Sequence, residues 1–101
     1  MTNTIFNILK TLGIPVVYGK HTTKVNTPYL LLTGAGQEVW PADDTYYHTR
    51  DLWTVEYYFT KKDPELEKTI EKLLLDNGYR YEKSEDVYLD DQNVYWLYYS
   101  I

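Results

Sequence analysis

From Asp51 to Thr60 the chain reads DLWTVEYYFT, and its side chains alternate. Trp53, Val55, Tyr57 and Phe59 fall on one side of an extended strand, and Leu52, Thr54, Glu56 and Tyr58 on the other. A period of two with this contrast marks a strand with one buried face. The following stretch, DPELEKTIEKLLLDNG, changes period. Asp63 is placed as an N-cap and Pro64 as the first helical residue. Glu65 and Glu67 lie near the positive helix end, and Gly78 suits the left-handed position beyond its C-terminus. Leu66, Ile70, Leu73 and Leu74 make the apolar stripe. A helix of this kind must bury its stripe on a sheet face. The expected partner is the Trp53/Val55/Tyr57/Phe59 side, with Leu73 inside the core.

The rest of the chain extends that plan. TNTIFNILKTLG places Ile5, Ile8, Leu9 and Leu12 on one helical stripe, with Thr2 or Asn3 as cap and Gly13 as stop. PVVY and YLLLT read as strands, separated by the polar loop GKHTTKVNTP. GAGQ breaks or bulges the second. DVYLDDQNVYWLYY reads as a hairpin turning at DDQN. The order is α-β-β-β-α-β-β. Short connections favour antiparallel neighbours. The predicted fold is α+β: an antiparallel sheet of about four to five strands with both helices packed on one face. At 101 residues the expectation is a single domain over 1–101.

Composition narrows the chemistry. With no cysteine, disulfides and thiolate metal sites are excluded. No apolar run approaches the roughly 20 residues of a membrane span. The N-terminus lacks a basic leader and apolar core, so a cytosolic site of synthesis and assembly is expected. The net charge of −5 is divided unevenly. Residues 1–37 hold Lys10, Lys20 and Lys24 and no acid, a net +3, whereas all 15 acids follow, for a net −8. That argues against a phosphate-binding surface and specific nucleic-acid binding, and raises a charged partner. The twelve tyrosines and three tryptophans fit a β-rich core and also an interface.

No motif points to catalysis. WPADD followed by TYYHT sets Asp43 and Asp44 near His48, but adjacent residues on an extended chain diverge. A metal site would need His21, His48 and a carboxylate to converge. Pro41 and the two aspartates read instead as the apex of a long hairpin. Asp90-Asp91 is a second turn. Ser84 and Ser100 sit in no nucleophile motif, and GAG is followed by no phosphate-binding Lys-Ser/Thr. The reading is a non-enzyme without cofactor or metal.

LGIPVVYGKHTTKVNTPYLLLTGAGQEVWPADDTYY, continued by VEYYFTKKDPELEKTIEKLLLDNGYRYEKSEDVYL, resembles the tail-completion proteins of long-tailed phages and prophages of Gram-positive bacteria. These are also called tail-to-head joining or tail-terminator proteins. The resemblance runs over most of the chain, roughly from Leu12 to Ile101, and contains no catalytic signature. It implies a structural protein that forms a ring, typically of six subunits, at the head-proximal end of the tail tube. Its implied partners are itself, the major tail tube protein and the head connector or head-completion protein. Its implied location is the host cytoplasm during assembly and then the virion.

A ring needs one patch to meet a different patch on the next copy. The candidate interface residues are Lys20, His21 and Lys24 in the polar loop, Trp40, Asp43 and Asp44 at the hairpin apex, and Asp90 and Asp91 at the second tip. Basic loop against acidic tip is the expected pairing. The alternative of a different class is a small regulatory or ligand-binding α+β domain, which needs an aromatic pocket with a few convergent polar groups.

Overall fold

The computed structural model describes residues 4–19, 26–41 and 47–101, with backbone only for Thr4, Trp40, Tyr47 and His48. The elements run α1 (Thr4–Lys10), β1 (Val16–Tyr18), β2 (Tyr29–Pro41), β3 (Tyr47–Phe59), α2 (Pro64–Asp76), β4 (Glu82–Lys83), β5 (Val87–Leu89) and β6 (Val94–Ser100). The α+β class holds.

The sheet has the order β1-β2-β3-β6-β4, with β5 also pairing β6. It is mixed and six-stranded, which corrects the expected antiparallel sheet of four to five strands. Val16 to Tyr18 runs parallel to Leu30 to Leu32. Sequential strands joined by a short turn must reverse, but ten residues separate β1 from β2. That length lets the chain return to the starting end and pair in parallel. The extra strand comes from the segment after α2. β4 and β5 lie end to end along the outer edge of β6. Between them the Ser84 N–H donates to Tyr98 O, while Tyr98 N–H donates to Ser84 Oγ, so a hydroxyl stands in for a ladder carbonyl.

Both helices lie on one side, as expected. Ile5 and Leu9 of α1, Ile70 and Leu74 of α2, Leu30 and Leu32 of β2, Val55, Tyr57 and Phe59 of β3, and Leu97 and Tyr99 of β6 form one buried cluster. α2 is set by the residues that announced it. Asp63 accepts from Leu66 N–H at 3.2 Å, and Pro64 occupies the first turn. Gly78, at φ 84°, ends the helix while Tyr79 N–H bonds Leu74 O and Gly78 N–H bonds Leu75 O. These are the paired bonds of a Schellman motif. The buried stripe is rotated from expectation: Leu73 is only half-buried, whereas Glu67 is 3% exposed. Two lysines from outside the helix make that rotation possible, as shown below.

Candidate functional site

Three regions bear on function. The first is where α2 meets the covered sheet face. The Glu67 carboxylate lies 2.8 Å from Lys62 Nζ through one oxygen and 2.8 Å from Lys83 Nζ through the other. The Lys62 contact falls outside hydrogen-bond geometry and acts as an ion pair, whereas Lys83 donates a directed bond. Lys83 also pairs with Glu71 at 2.8 Å, and Tyr99 Oη donates to Glu71 at 2.9 Å. Burial opposes the charge on Glu71, but the bonds from Lys83 and Tyr99 outweigh it and hold the carboxyl below its usual value. Burial likewise opposes the charge on Lys83, and Glu67 and Glu71 reverse it, so the ammonium titrates above its usual value. A buried carboxylate is tolerable only when paired and bonded in this way.

Beside this network lies an open pocket of about 460 Å³ at the end of the sheet, lined by Tyr57 and Phe59 with Thr27, Thr60, Lys62 and Asp63 among its polar groups. The Tyr57 hydroxyl is buried there without a hydrogen-bond partner. Burial first, then the carboxylates of Glu67 and Asp63, pushes that phenol up to about 12.

The second region is the opposite sheet face, on which no helix packs among the described residues. Strand register arranges it in rows: Tyr29, Tyr58 and Trp96; then Leu31, Glu56 and Tyr98; then Thr33, Thr54 and Ser100. Tyr29 and Tyr58 stack at 4.8 Å, and Trp96 and Tyr98 lie 5.3 Å apart. Tyr29, Leu31 and Tyr58 are buried, with Val17, Leu89, Val94 and Trp96 half-exposed and packed against them. At the centre is Glu56. Its Oε1 accepts from Trp96 Nε1 at 2.8 Å and Tyr58 Oη at 2.9 Å.

The third region is an arm. β2 pairs β3 from Tyr29–Tyr58 to Pro41–Tyr47, with a bulge between Gly34 and Gln37. Gly36 sits at φ 99° in that bulge, a conformation that glycine adopts freely. β1 reaches β2 only at Leu30–Leu32, and β6 reaches β3 only at Thr54–Phe59. From Gln37–Asp51 outward, no third strand flanks the ribbon among the described residues. Thirteen residues at roughly 3.4 Å each run about 44 Å, most of the 52 Å long axis of the molecule. Gln37 Nε2 donates to Asp51 at 3.1 Å and Arg50 pairs with Glu38 at 3.1 Å, all exposed.

Of the sequence-predicted interface residues, Lys20, His21, Lys24, Asp43 and Asp44 lie outside the described residues. The backbone of Trp40 lies on the arm, opposite His48. Asp90 and Asp91 are exposed in the turn between β5 and β6. That turn adjoins the Phe59–Tyr95 end of the sheet, so it is at the opposite end from Trp40. Among the described predicted residues, Asp90 and Asp91 therefore lie far from the Trp40 backbone. Glu56 and its aromatic row were missed as a site. The signal was present: an acid on the polar side of an alternating strand, within a chain unusually rich in tyrosine.

Among the described residues no group of three His, Asp or Glu is placed to hold a metal, and no helix is long and apolar enough to cross a membrane. Neither a protein-family model nor a curated relative matches the sequence.

Proposed function

We propose that this chain is a structural assembly subunit of a long-tailed phage. It closes the head-proximal end of the tail tube and joins it to the head connector, as a ring of copies. The observation that carries the reading is the arm. A two-stranded ribbon by itself is marginal in water, and this one, exposed at Gln37–Val39 and Thr49–Asp51, extends beyond the core that supports its base. Such an element gains its stability and its use when a neighbour covers it. The resemblance to tail-completion proteins supplies the identity of the neighbours: other copies, the tail tube protein and the head-completion protein. Synthesis in the host cytoplasm and incorporation at the head–tail junction follow from that role, and no catalytic step is part of it.

The test is joining of purified heads to tails that lack the protein, scored by electron microscopy. Added protein should restore whole particles. A variant in which a two-residue turn replaces residues 37–51 should keep its circular dichroism and lose joining. Full joining without any added protein would remove the reading.

A second reading rests on the pocket at Tyr57. Aromatic walls, a buried unpaired phenol and flanking Thr27 and Lys62 suit a small acceptor-bearing ligand, as in a ligand-binding domain. A saturable rise in melting temperature with such a ligand, lost in Tyr57→Phe, would favour it over assembly.

A further inference from the structure

The chain has two arginines, Arg50 on β3 and Arg80 after α2, and both line one pocket. It has a volume of about 470 Å³ and lies where β6 ends and β3 runs on into the arm. Trp53 and Tyr81 supply its aromatic lining, and Ser100 and Glu82 further polar groups. Arg80 is exposed and has no acid partner among the described residues. Arg50 gives Nε and one terminal nitrogen to Glu38 Oε1, which leaves other N–H donors of its planar fork. Two guanidiniums against one lining carboxylate, beside indole and phenol rings, make a receptor for carboxylates. Arginine, tryptophan and tyrosine together are also the composition of interface hot spots.

A complementary group lies at the other end of β6. Asp90 and Asp91 are exposed in the β5–β6 turn, and neither has a basic partner among the described residues. The turn is preformed. Gln92 N–H and Asn93 N–H donate to Leu89 O at 3.2 and 2.9 Å, and Tyr88 Oη donates to Asn93 Oδ1 at 3.1 Å. Next along the hairpin, Tyr88 and Tyr95 are 47% and 40% exposed, and the Tyr95 ring stacks on buried Phe59 at 5.5 Å. β6 separates the turn at Val94 from the pocket at Ser100 by about 20 Å, so the two groups cannot neutralise each other within one subunit.

We infer that the Asp90–Asp91 turn of one copy docks in the Arg50/Arg80 pocket of a second copy. Charge complementarity selects this occupant: residues 84–101 hold four acids and no base, and the pocket holds both arginines of the chain. An arginine fork can take a carboxylate through two parallel bonds, and the exposed tyrosines add the contact area that the aspartates lack. The two patches lie at opposite ends of one strand, so one copy's turn meets the next copy's pocket. That contact is heterologous and propagates in one direction, as a closed ring or an open stack requires. It keeps the acidic tip expected from the sequence and meets it with arginines in place of the lysines of the polar loop.

The inference deepens the assembly reading by naming a contact, and it relies on that reading only for the premise that copies associate. It is tested on the purified full chain by analytical ultracentrifugation at low salt. Wild-type protein should associate with concentration, and the association should weaken as salt rises. Arg80→Gln should weaken it roughly tenfold or more, the change that loss of one charge-assisted bond produces. Asp90→Asn/Asp91→Asn should do likewise, with unchanged circular dichroism in both. Lys68→Gln, which removes an exposed charge from α2, should leave association at the wild-type level. Mixing the Arg80 and aspartate variants leaves one intact contact per pair, so the mixture should form a one-to-one dimer and stop there. Undiminished association of Arg80→Gln, an equal loss in Lys68→Gln, a mixture that stays monomeric, or a wild type that stays monomeric at all concentrations would each overturn the inference. Head–tail joining separates the two readings. A chain that associates through Arg80 but joins no tails keeps this contact and removes the tail function. One that joins tails while never associating does the reverse.

Discussion

The two faces of one sheet solve the problem of carboxylates among aromatic residues in opposite ways. On the helix side, Glu67 and Glu71 lie against Tyr57 and Tyr99, and Lys62 and Lys83 neutralise them within the subunit. On the bare side, Glu56 lies against Tyr58, Trp96 and Tyr98 and receives only neutral donors. A face whose charges are internally paired is finished as a core. The other face keeps one oriented charge, held by neutral donors, inside a partly exposed aromatic border. The difference is one of pairing, since both faces are formed by alternate residues of the same three central strands.

Truncating matched leucines gives the largest expected effect. Leu97, fully buried between sheet and helices, should cost about 2–5 kcal/mol as Leu97→Ala, because the cavity is walled on all sides. Leu31, 5% exposed on the bare face, should cost less, about 1–2 kcal/mol, because water and neighbouring rings can enter the space. Urea denaturation measures both. Equal costs would mean that the bare face is as enclosed as the core.

Next comes the ion network. Lys83→Met removes the cation shared by Glu67 and Glu71 and leaves Glu67 with Lys62 alone. The expected loss is about 1–3 kcal/mol at neutral pH, for a partly exposed lysine bonded to a buried acid. The Glu71 carboxyl is held below its usual value in the fold, so its contribution is present above that usual value and is lost as pH falls through the lowered one. Acid unfolding should therefore begin at higher pH in Lys83→Met than in wild type.

The network also explains what the sequence could and could not reveal. α2 was legible because its signals are local: Asp63 caps, Pro64 starts and Gly78 stops it, each through its own backbone. The rotation of its buried face was not, because it depends on Lys62 and Lys83, which approach from outside the helix. Counting apolar residues favours Leu73; the lysines bring Glu67 inside instead. The same limit hid the parallel pairing of β1, which is decided by where the chain goes between Tyr18 and Tyr29. The alternation in β3 correctly divided the strand into two faces. It could not indicate that the second face, with Glu56 at its centre, would meet no helix among the described residues. Asp90 and Asp91, the interface residues proposed from the sequence whose side chains are described, lie in the β5–β6 turn.

Tyrosine titration sharpens the contrast within the covered face. Tyr57 and Tyr99 are both fully buried, but Tyr99 donates to Glu71 and Tyr57 has no partner. Tyr99→Phe should cost about 1–2 kcal/mol, the worth of a bond to a charged acceptor. Tyr57→Phe should be close to neutral at pH 7, since it removes an unsatisfied hydroxyl. The Tyr57 phenol is raised from 10.0 to about 12 by burial and by Glu67 and Asp63. A raised value favours the neutral form in the fold, so its contribution is complete below 10 and lost as pH climbs to 12. Tyr57→Phe should accordingly flatten the alkaline limb of the stability profile. An unchanged limb would place the titration that drives alkaline unfolding elsewhere.

The smallest effect is expected on the arm, which sharpens the comparison because its described residues Gln37–Val39 and Thr49–Asp51 are exposed. Arg50 and Glu38 pair at 3.1 Å, but their side chains are 46% and 51% exposed. Exposed pairs of this kind are worth about 0–1 kcal/mol, and less as salt rises. Arg50→Ala should thus shift the urea midpoint by an amount near the error of the measurement. Gly36→Ala is more informative. A side chain at φ 99° is strained, although no atom crowds the added Cβ. The cost, about 1 kcal/mol or more, falls on a ribbon that β6 does not reach. If the arm melts independently of the core, the substitution should leave global unfolding nearly unchanged. It should instead speed amide exchange at Gln37 to Val39 and at Thr49 to Asp51. If global stability falls by the full local strain, the arm is coupled to the core and its geometry is fixed before any neighbour arrives. If only local exchange changes, the ribbon is a separately melting unit, and a partner that covers it would also order it.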